Sequence, residues 1–374
     1  MNILVTGAAG FIGKNLVQVL TREGNHQVSE YDRNSGEADL RKALSVADLV
    51  YHLAGENRPP DPRQYEETNV GLTVRIVECL TELRRKPRIV FASSIQAEQE
   101  NPYGTSKRRA EDELRRFAEI TGAPVVVYRL KNTFGKWSRP NYNSVVATFC
   151  HNVARDLPIS VNDPGRVLDL VYIDDVVSAF LGEITRLVAP RFAYAEVPAS
   201  YQIALRELAE TIQAFRRMRA SRMMPDFSDR LVRCLYATYL SHLETSDFAY
   251  DLEIKADSRG QLAEFLKAHH FGQVFVSTTK PGVTRGNHFH HTKTEKFLVV
   301  QGDAEIRFRH IVTGEIIRYR VTGSAFRVVD IPPGYTHAIE NIGETDLIVL
   351  FWASEVFDPT QTDTYVLEVE HEEA

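Results

Sequence analysis

Three histidines and one glutamate are spaced so that they could hold a metal ion. His288 and His290 are one residue apart, and because alternate residues of a strand share one face, their side chains are expected to point the same way. A turn brings Glu295 back beside them, and His337 lies on a later predicted strand where it could complete the set. Nitrogen and carboxylate ligands suit Zn, Fe, Mn, Co and Ni, and ligand type alone does not choose among them. We predict zinc, with other divalent metals left open.

A serine, a tyrosine and a lysine form a second candidate set, and these three are the predicted catalytic residues. Ser94 ends an apolar run that is typical of a strand, and Tyr103 lies four residues before Lys107, which places the pair on one face of a helix. An ammonium near the phenol favours the phenolate and is expected to lower the pKa of Tyr103 from about 10 toward the working range. Tyr103 could then pass a proton while hydride moves to or from the same carbon, with Ser94 polarising the carbonyl.

The amino-terminal residues have the pattern of a dinucleotide site. A short apolar run, Asn2–Thr6, precedes a glycine-rich turn and a helical pattern. Glycines let the backbone approach a pyrophosphate, and the free N–H groups and dipole of the new helix attract its charge. The residues of this turn predicted to contact a cofactor are Gly7, Gly10, Phe11, Ile12 and Gly13.

Two residues after the second predicted strand bear on the choice of cofactor. Asp32 and Arg33 follow the glycines by about 20 residues, where the adenosine ribose would lie. Asp32 would accept hydrogen bonds from ribose hydroxyls, whereas Arg33 could pair with a 2′-phosphate. These two residues alone leave NADH and NADPH open, and we predict NADPH.

This first half of the chain resembles the extended short-chain dehydrogenase/reductase family, many of whose members act on nucleotide sugars. The resemblance covers roughly residues 1–245 and includes segments 52–55, 129–135 and 171–175. It implies a Rossmann-type, doubly wound parallel sheet that forms an NAD(P)-binding domain. It also implies that Leu53, Ala54 and Gly55 lie beside the cofactor, and that Tyr103 and Lys107 contact it.

The metal-binding pattern resembles the cupin family, which consists of small antiparallel β-barrels with a metal at the mouth. The resemblance covers roughly residues 270–370, and a cupin metal-binding domain is expected over 246–374. The family's second motif usually has a glycine six residues before its proline. Phe326 occupies that position here and Gly323 is the nearest glycine, so a loop is expected to be altered while His337 is kept.

The combination of the two domains, with segments 101–104, 134–137, 140–144 and 287–295 as they stand, resembles bifunctional enzymes of capsular polysaccharide synthesis. The resemblance implies a homodimer that takes a UDP-2-acetamido-2,6-dideoxy-4-keto-hexose. It implies inversion of C3 in the cupin domain and NADPH-dependent reduction of C4 in the other. The product would be UDP-2-acetamido-2,6-dideoxy-L-talose, on the route to N-acetyl-L-fucosamine and capsular or O-antigen polysaccharide.

The order of the two steps follows from carbonyl chemistry. The C3 proton is acidic only while C4 is a ketone, so epimerisation precedes reduction, and a metal would stabilise the enolate as a Lewis acid. The base that removes the C3 proton is not readable from the sequence, where His291, Lys296 and Tyr335 are neighbours of the metal motifs.

Other functions stay open at this point. A dehydratase of the same fold places an Asp-Glu pair after its catalytic serine or threonine, whereas Ile95 and Gln96 follow Ser94 here. A nucleotide-sugar 4-epimerase would keep its cofactor unconsumed, and a reductase could carry a purely structural cupin domain. A non-catalytic regulatory protein that binds NADP and a metal, and a metal-dependent oxygenase in the cupin half, are further alternatives.

The composition predicts a two-domain enzyme whose partner is a small molecule. The 374 residues exceed one typical domain, and 43% hydrophobic with 25% charged residues is ordinary globular content. A net charge of −6 argues against nucleic acid as a partner. Three widely separated cysteines suit reduced thiols, and no apolar run approaches membrane-spanning length. We therefore predict a cytoplasmic protein with a UDP-sugar substrate and no membrane partner.

Overall fold

The computed structural model describes residues 1–186, 191–257, 260–263, 266, 272–355 and 360–370. The chain forms two compact units. Unit 1 comprises Met1–Phe134, Asn141–Ser144 and Val167–Ile203. Unit 2 comprises Gly135–Pro140, Val145–Arg166 and Ala204–Ala374.

Helices and strands alternate through most of unit 1, and strands dominate the later part of unit 2. The helices are α1 (Phe11–Glu23), α2 (Glu37–Val46), α3 (Arg63–Tyr65), α4 (Gly71–Glu82), α5 (Pro102–Thr121), α6 (Val145–Ala154), α7 (Ile173–Thr185), α8 (Leu205–Ser221) and α9 (Arg230–Ser241). A π-helical turn, Glu66–Val70, joins α3 to α4, and 3-10 turns cover Ile95–Glu98 and Thr245–Asp247.

The first nine strands precede α8. They are β1 (Asn2–Thr6), β2 (Gln27–Tyr31), β3 (Leu49–His52), β4 (Arg88–Ser94), β5 (Val125–Leu130), β6 (Asn132–Phe134), β7 (Val167–Tyr172), β8 (Phe192–Ala195) and β9 (Tyr201–Ala204). The later strands are β10 (Ala249–Asp251), β11 (Ile254–Asp257), β12 (Gly260–Ala263), β13 (Gln273–Thr279), β14 (Thr284–Phe289), β15 (Glu295–Gln301), β16 (Asp303–His310), β17 (Ile316–Thr322), β18 (Arg327–Ile331), β19 (Tyr335–Asn341), β20 (Leu347–Ala353) and β21 (Tyr365–Val366).

Unit 1 is built on a parallel sheet of six strands in the order β2-β1-β3-β4-β5-β8. Every residue of β3 is buried, and so is nearly all of β4. Strands covered on both faces read as continuous apolar runs, which is why the sequence shows them without alternation. The strand order reverses beside β1, so the carboxyl ends of β1 and β3 flank the crevice where such sheets bind ligands.

Unit 2 contains two antiparallel sheets of five strands, ordered β10-β18-β15-β20-β13 and β17-β16-β19-β14-β21. In β16 the buried residues Ala304, Ile306 and Phe308 alternate with more exposed residues. This period of two is expected when one face of a sheet packs inward and the other faces solvent. The predicted fold class is therefore confirmed: a Rossmann-type parallel sheet with helices is followed by antiparallel sheets in a carboxyl-terminal β domain.

Three helices also belong to unit 2. Helices α6, α8 and α9 pack against one another, and the loop before α9 places the ring of Phe227 5.7 Å from that of Trp352 in β20. Arg219 of α8 is 3.1 Å from the carboxylate of Asp330 in β18. The compact units thus divide the chain differently from the expected boundary after residue 245, because these helices contribute to the packing around the β sheets.

None of the helices in the described ranges is both long enough and apolar enough to cross a membrane.

Candidate functional site

The turn between β1 and α1 has no room for side chains at two of the predicted glycines. Gly7 has a φ of +70°, and a Cβ there would lie 2.7 Å from the backbone of Ala54. A Cβ at Gly13 would lie 2.1 Å from the Gly7 carbonyl oxygen. Gly10 is the N-cap residue of α1 and has no side chain that could accept from the first helical N–H groups. These groups, beginning at Phe11, are therefore available to an anion.

Asp32 and Arg33 follow β2 at the same edge of the sheet. The Asp32 carboxylate accepts a hydrogen bond from the Ala9 N–H at 2.8 Å. Burial raises the pKa of Asp32, and the hydrogen bond from Ala9 opposes that shift. The Arg33 side chain is 81% exposed and forms an ion pair with Glu56, whose other carboxylate oxygen accepts from the Tyr142 hydroxyl at 2.6 Å. The structure therefore brings both predicted residues to the cofactor edge but gives Arg33 a carboxylate partner.

The predicted catalytic residues lie close together in unit 1. Ser94 ends β4, while Tyr103 and Lys107 lie in the first turns of α5. That helix begins sharply because the Asn101 side chain accepts the Gly104 N–H at 2.8 Å and Pro102 occupies the first helical position. Ser94 lies near enough to the Tyr103 phenol to act on its pKa, which it lowers.

The ammonium of Lys107 is fully buried among backbone and aromatic groups. Its Nζ donates to the Ala92 carbonyl at 3.0 Å and lies 5.0 Å from the centre of the Phe91 ring. Burial lowers the pKa of Lys107 to about 8, with Glu111 acting in the opposite direction. A Cβ at Gly55 would lie 3.0 Å from the Lys107 Nζ, so the loop after β3 passes close to the ammonium.

The pKa of Tyr103 does not shift in the predicted direction. Burial of the phenol raises the pKa of Tyr103 to about 12, and the nearby Ser94 only partly offsets this. The expectation that Lys107 lowers this pKa is therefore wrong for this structure, since burial outweighs any effect of the ammonium. A pKa of about 12 keeps the phenol protonated at neutral pH, which suits a proton donor.

The sequence alone did not indicate the role of Asn69, a buried residue whose side chain hydrogen-bonds both to the loop after β3 and to α5. The Asn69 Oδ1 accepts from the Glu56 N–H at 2.7 Å, and its Nδ2 donates to the Ser106 hydroxyl at 2.9 Å. Asn69 is 1% exposed, so its hydrogen bonds fix the loop after β3 against the helix that carries Tyr103. The sequence signal was a single amide residue directly before the apolar face of α4.

Three of the predicted metal ligands in unit 2 lie on strands, and the fourth, His290, directly follows β14. Strands β14 and β19 are antiparallel neighbours that pair His288 directly with His337, and the two rings are 4.6 Å apart. The register shifts between Gly286 and His288, and both Gly286 and Asn287 have positive φ angles. A bulge of this kind re-aims the side chain that follows it, and here that side chain is His288.

Glu295 begins β15 and faces the histidines. One of its carboxylate oxygens lies 3.3 Å from the Nε2 of His290 and 3.3 Å from the Nε2 of His337. One potential ligand atom from each of the four residues lies within 4.8 Å of the others. The four residues predicted from their spacing are thus brought together into one cluster.

The chemical state of this cluster fits a divalent metal. The buried Nε2 atoms of His290 and His337 make no hydrogen bond of acceptable geometry within the described chain. Burial and the neighbouring imidazoles lower the pKa of His288 to about 4. Burial alone would raise the pKa of Glu295, but His290 and His337 hold it well below its usual range. Neutral imidazoles and an ionised carboxylate are the forms that bind metal.

Two of the three sequence neighbours of the metal motifs have partners outside the cluster. Lys296 follows Glu295 and therefore faces the other side of the sheet, where its buried Nζ pairs with Asp330. Tyr335 is 8% exposed and packs against Phe248 with ring centres 5.1 Å apart. The His291 ring lies 5.3 Å from the ring of Phe289 at the end of β14 and 5.1 Å from the ring of Tyr365 in β21.

The altered loop of the second motif has a physical explanation. The Gly323 N–H donates to the Gly302 carbonyl at 2.9 Å, and a Cβ at Gly323 would lie 2.6 Å from the Cα of Gln301. The close approach that needs glycine therefore falls three residues before Phe326, while β19 still presents His337.

Comparison with known proteins identifies the class to which this fold and this pair of sites belong. The profile of the NAD dependent epimerase/dehydratase family matches residues 3–191, and that of the polysaccharide biosynthesis C-terminal domain matches residues 255–365. The chain belongs to the NAD-dependent epimerase/dehydratase family, and membership implies a nicotinamide cofactor.

Two whole-length relatives narrow the comparison. UDP-2-acetamido-2,6-beta-L-arabino-hexul-4-ose reductase from Pseudomonas aeruginosa is 44% identical over 373 residues, covering 99% of each chain. The crystal structure of the capsular polysaccharide assembling protein CapF from Staphylococcus aureus is 46% identical with a TM-score of 0.67, covering 99% of this chain and 100% of CapF. The predicted resemblance to an enzyme of capsular polysaccharide synthesis is thus confirmed.

A more distant structure shares the fold alone. UDP-glucuronic acid 4-epimerase from Bacillus cereus, in complex with NAD, is 21% identical with a TM-score of 0.51 and covers 57% of this chain and 83% of its own.

Proposed function

We propose that this chain is a bifunctional nucleotide-sugar enzyme. It inverts C3 of a UDP-2-acetamido-2,6-dideoxy-4-keto-hexose at the cluster of His288, His290, Glu295 and His337, and then reduces C4 with NADPH at Tyr103. The product is UDP-2-acetamido-2,6-dideoxy-L-talose. The observation that carries the proposal is the presence, in one chain, of a complete three-histidine, one-carboxylate cluster and a Ser-Tyr-Lys set. Whole-length similarity to a UDP-sugar reductase and to CapF supports it.

The residues around Tyr103 suit the reduction step. NADPH, when bound at the β1–α1 turn, supplies the hydride. Tyr103 starts with its proton, because burial raises its pKa to about 12, and its phenol gives that proton to the C4 oxygen. Ser94 ends the adjacent strand and polarises the same carbonyl. Lys107 follows Tyr103 by one turn of α5 and lies close to Gly55, and its positive charge favours the phenolate that remains after proton transfer.

The cluster in unit 2 suits the epimerisation step. A divalent metal held by its four residues supplies a Lewis acid for the C4 ketone oxygen, an effect worth about several kcal/mol. Glu295 is held ionised, and the lowered pKa of His288 keeps that imidazole neutral. An ionised carboxylate and a neutral imidazole are the forms that bind a metal. We propose zinc as this metal.

The remaining features of the proposal concern the protein as a whole. We propose that it acts as a cytoplasmic homodimer, with UDP-sugar as its substrate. A purely structural metal is the second candidate, because the four ligands also join β14, β15 and β19 and would staple those strands together.

One experiment separates these functions. The metal-loaded protein is incubated in deuterium oxide with a UDP-4-keto-6-deoxy-N-acetylhexosamine, with and without NADPH, while C3 exchange is followed by NMR and NADPH by absorbance. We expect C3 exchange without NADPH, and stoichiometric NADPH loss when it is added. Exchange without NADPH consumption would indicate that the reductase assignment is wrong. NADPH consumption without C3 exchange would leave the metal a structural role.

A further inference from the structure

A carboxyl-terminal segment, residues 360–370, runs along β14, which carries His288 and is followed directly by His290. Its strand β21 pairs with β14, with Val366 opposite His288 and Tyr365 opposite Phe289. The Leu367 N–H donates to the Asn287 carbonyl at 2.8 Å. The segment therefore forms the neighbour of β14 on the side away from β19.

One residue of this segment, Asp363, holds the turn between β14 and β15. Its Oδ1 accepts from the His291 N–H at 2.9 Å. Its Oδ2 accepts from the Thr292 N–H at 2.7 Å, the Thr292 hydroxyl at 2.9 Å and the Lys293 N–H at 2.6 Å. Three successive backbone donors and a hydroxyl thus converge on one carboxylate, and hydrogen bonds to a charged acceptor are the stronger kind.

The backbone of the same residue orients one metal ligand. The Nδ1–H of His290 donates to the Asp363 carbonyl oxygen. Because the carbonyl can only accept, a proton lies on Nδ1, and Nε2 is the nitrogen of His290 that would bind a metal. Such a partner fixes both the tautomer and the ring orientation of a ligating histidine.

The turn that Asp363 holds has a second tie to the segment. The Lys293 Nζ donates to the Thr364 hydroxyl at 2.9 Å and lies 3.8 Å from a carboxylate oxygen of Glu295. Five residues lie between the end of β14 and Glu295. His290 is the first of them, so this turn links two of the four ligands. The geometry of the turn therefore sets how far apart His290 and Glu295 stand.

We propose that Asp363 is the positioning residue of the metal centre. Its carboxylate fixes the turn between His290 and Glu295, and its carbonyl selects the tautomer in which His290 can bind. Metal affinity depends on Asp363 although it contacts neither metal nor substrate. The inference rests on the metal site of the proposed function.

Zinc affinity of the full-length chain tests this positioning role without any substrate. Metal-free wild type, Asp363→Asn and the control Glu370→Gln are titrated with Zn²⁺ against a competing chelating dye. We expect Asp363→Asn to weaken Zn²⁺ binding about 10- to 100-fold, the range for partners of a metal ligand. Glu370 lies in the same segment but pairs with Arg307 and Arg318 on an exposed surface, so Glu370→Gln is expected to bind as wild type does.

A second readout separates positioning from simple anchoring of the segment. In ¹⁵N-histidine NMR spectra of the metal-free proteins, wild type and Glu370→Gln should show one His290 tautomer protonated on Nδ1, and Asp363→Asn a mixture. If Asp363→Asn also loses its fold, Thr292→Val, which removes one of the four donors and no charge, should weaken Zn²⁺ binding about two- to fivefold with an unchanged melting temperature.

The outcomes distinguish this inference from the proposed function. Folded Asp363→Asn with wild-type Zn²⁺ affinity would overturn the positioning role, as would wild-type affinity in Thr292→Val should Asp363→Asn fail to fold. A wild-type chain that binds no Zn²⁺ would instead overturn the metal site itself. Weakened binding with no C3 exchange in any variant would support Asp363 and contradict the epimerase assignment.

Discussion

The candidate reductase site in unit 1 and the metal cluster in unit 2 differ in how their polar groups are occupied. In unit 1, Lys107 donates to a backbone carbonyl, and Arg33 is paired with Glu56. In unit 2, the Nε2 atoms of His290 and His337 lie buried beside a single carboxylate, and neither is satisfied by a hydrogen bond within the described residues.

This difference corresponds to two kinds of ligand. A large cofactor that enters and leaves in every turnover can be bound by side chains that have a protein partner in its absence and change to the cofactor when it binds. A metal that stays bound is held most tightly by ligands that are already in place, because binding then costs little side-chain conformational entropy. The comparison predicts that the site in unit 1 still works when a side chain changes its hydrogen-bond or ion-pair partner. The site in unit 2 is expected to lose metal binding when a ligand, or a residue that holds a ligand, is displaced.

The largest expected effect is the loss of reduction in Tyr103→Phe. The ring stays, so packing is retained, but the proton donor is removed, and NADPH oxidation should fall about 10²- to 10⁴-fold. C3 deuterium exchange should be unchanged, because the metal cluster is untouched. The two rates are measured by absorbance and NMR in the same sample.

Tyr65→Phe is the matched control for this change. Its ring lies 5.8 Å from that of Tyr103, and its hydroxyl donates to a loop carbonyl. It should keep near-normal reduction. A folded Tyr103→Phe protein that lost both activities would show that the two sites do not act independently.

Removal of the metal should have the opposite pattern. In His290→Gln, or after chelation, C3 exchange should fall at least about 10²-fold, since the Lewis acid contributes several kcal/mol. A 4-keto sugar that already has the inverted C3 should still be reduced at nearly the wild-type rate. Thermal unfolding of the chelated sample is recorded in parallel. Exchange that persists without metal would rule out the catalytic role, and a collapsed β domain would favour the structural one.

The pH dependence of stability tests whether burial of the Lys107 ammonium destabilises the folded, cofactor-free protein. Its folded-state pKa is lowered to about 8 from an ordinary 10.5, so the folded state binds fewer protons than the unfolded state between those values. The folded protein is therefore penalised below pH 8, and the penalty disappears as pH rises to 10.5. Relative to Lys107→Met, wild type should gain up to about 3 kcal/mol across this window in urea unfolding. A stability difference that is flat with pH would mean that the folded protein does not lower the pKa of Lys107.

The smallest expected effect concerns cofactor choice. Arg33→Ala should weaken NADPH about 10- to 150-fold, because a charge-assisted contact to a 2′-phosphate contributes about 1.5–3 kcal/mol, and it should weaken NADH less. Glu56→Gln removes the competing carboxylate and should tighten NADPH by no more than about fivefold, since pairs that involve exposed groups are weak. Fluorescence titration measures the affinity of wild type and Arg33→Ala for both cofactors, and that of Glu56→Gln for NADPH. An equal loss for both cofactors, or a wild-type preference for NADH, would indicate that Asp32 dominates.

Local patterns in the sequence were sufficient for the strands and for the ligand cluster. His288 and His290 share a face through the period of two in a strand, and Gly7 and Gly13 lie where a turn needs glycine. Burial could not be read in the same way. The rise in the pKa of Tyr103 depends on what covers the phenol, and alternation showed Lys296 on a strand without showing that Asp330 would be buried beside it.

Long-range partners were the other part that the sequence could not give. Asp363 bonds to His290 across 73 residues, and Arg129 pairs with Glu111, which lies on a different element. A carboxylate in a polar carboxyl-terminal stretch has no periodicity that would mark it. Such partners become visible only when the topology places β21 beside β14.

Each unit is built from several separate segments of the chain. This affects whether the chain could be divided at one point and its two halves exchanged between related proteins. The polypeptide passes between the units five times before residue 205. A gene fragment beginning at codon 246 would encode the later strands but not Arg219 or Phe227, which contact Asp330 and Trp352. Asp330 would then keep Lys296 and lose its second cation, and a fully buried tryptophan would lose an aromatic neighbour. Recombination at residue 246 therefore separates side chains that pack together, so the two halves of the gene are not interchangeable modules.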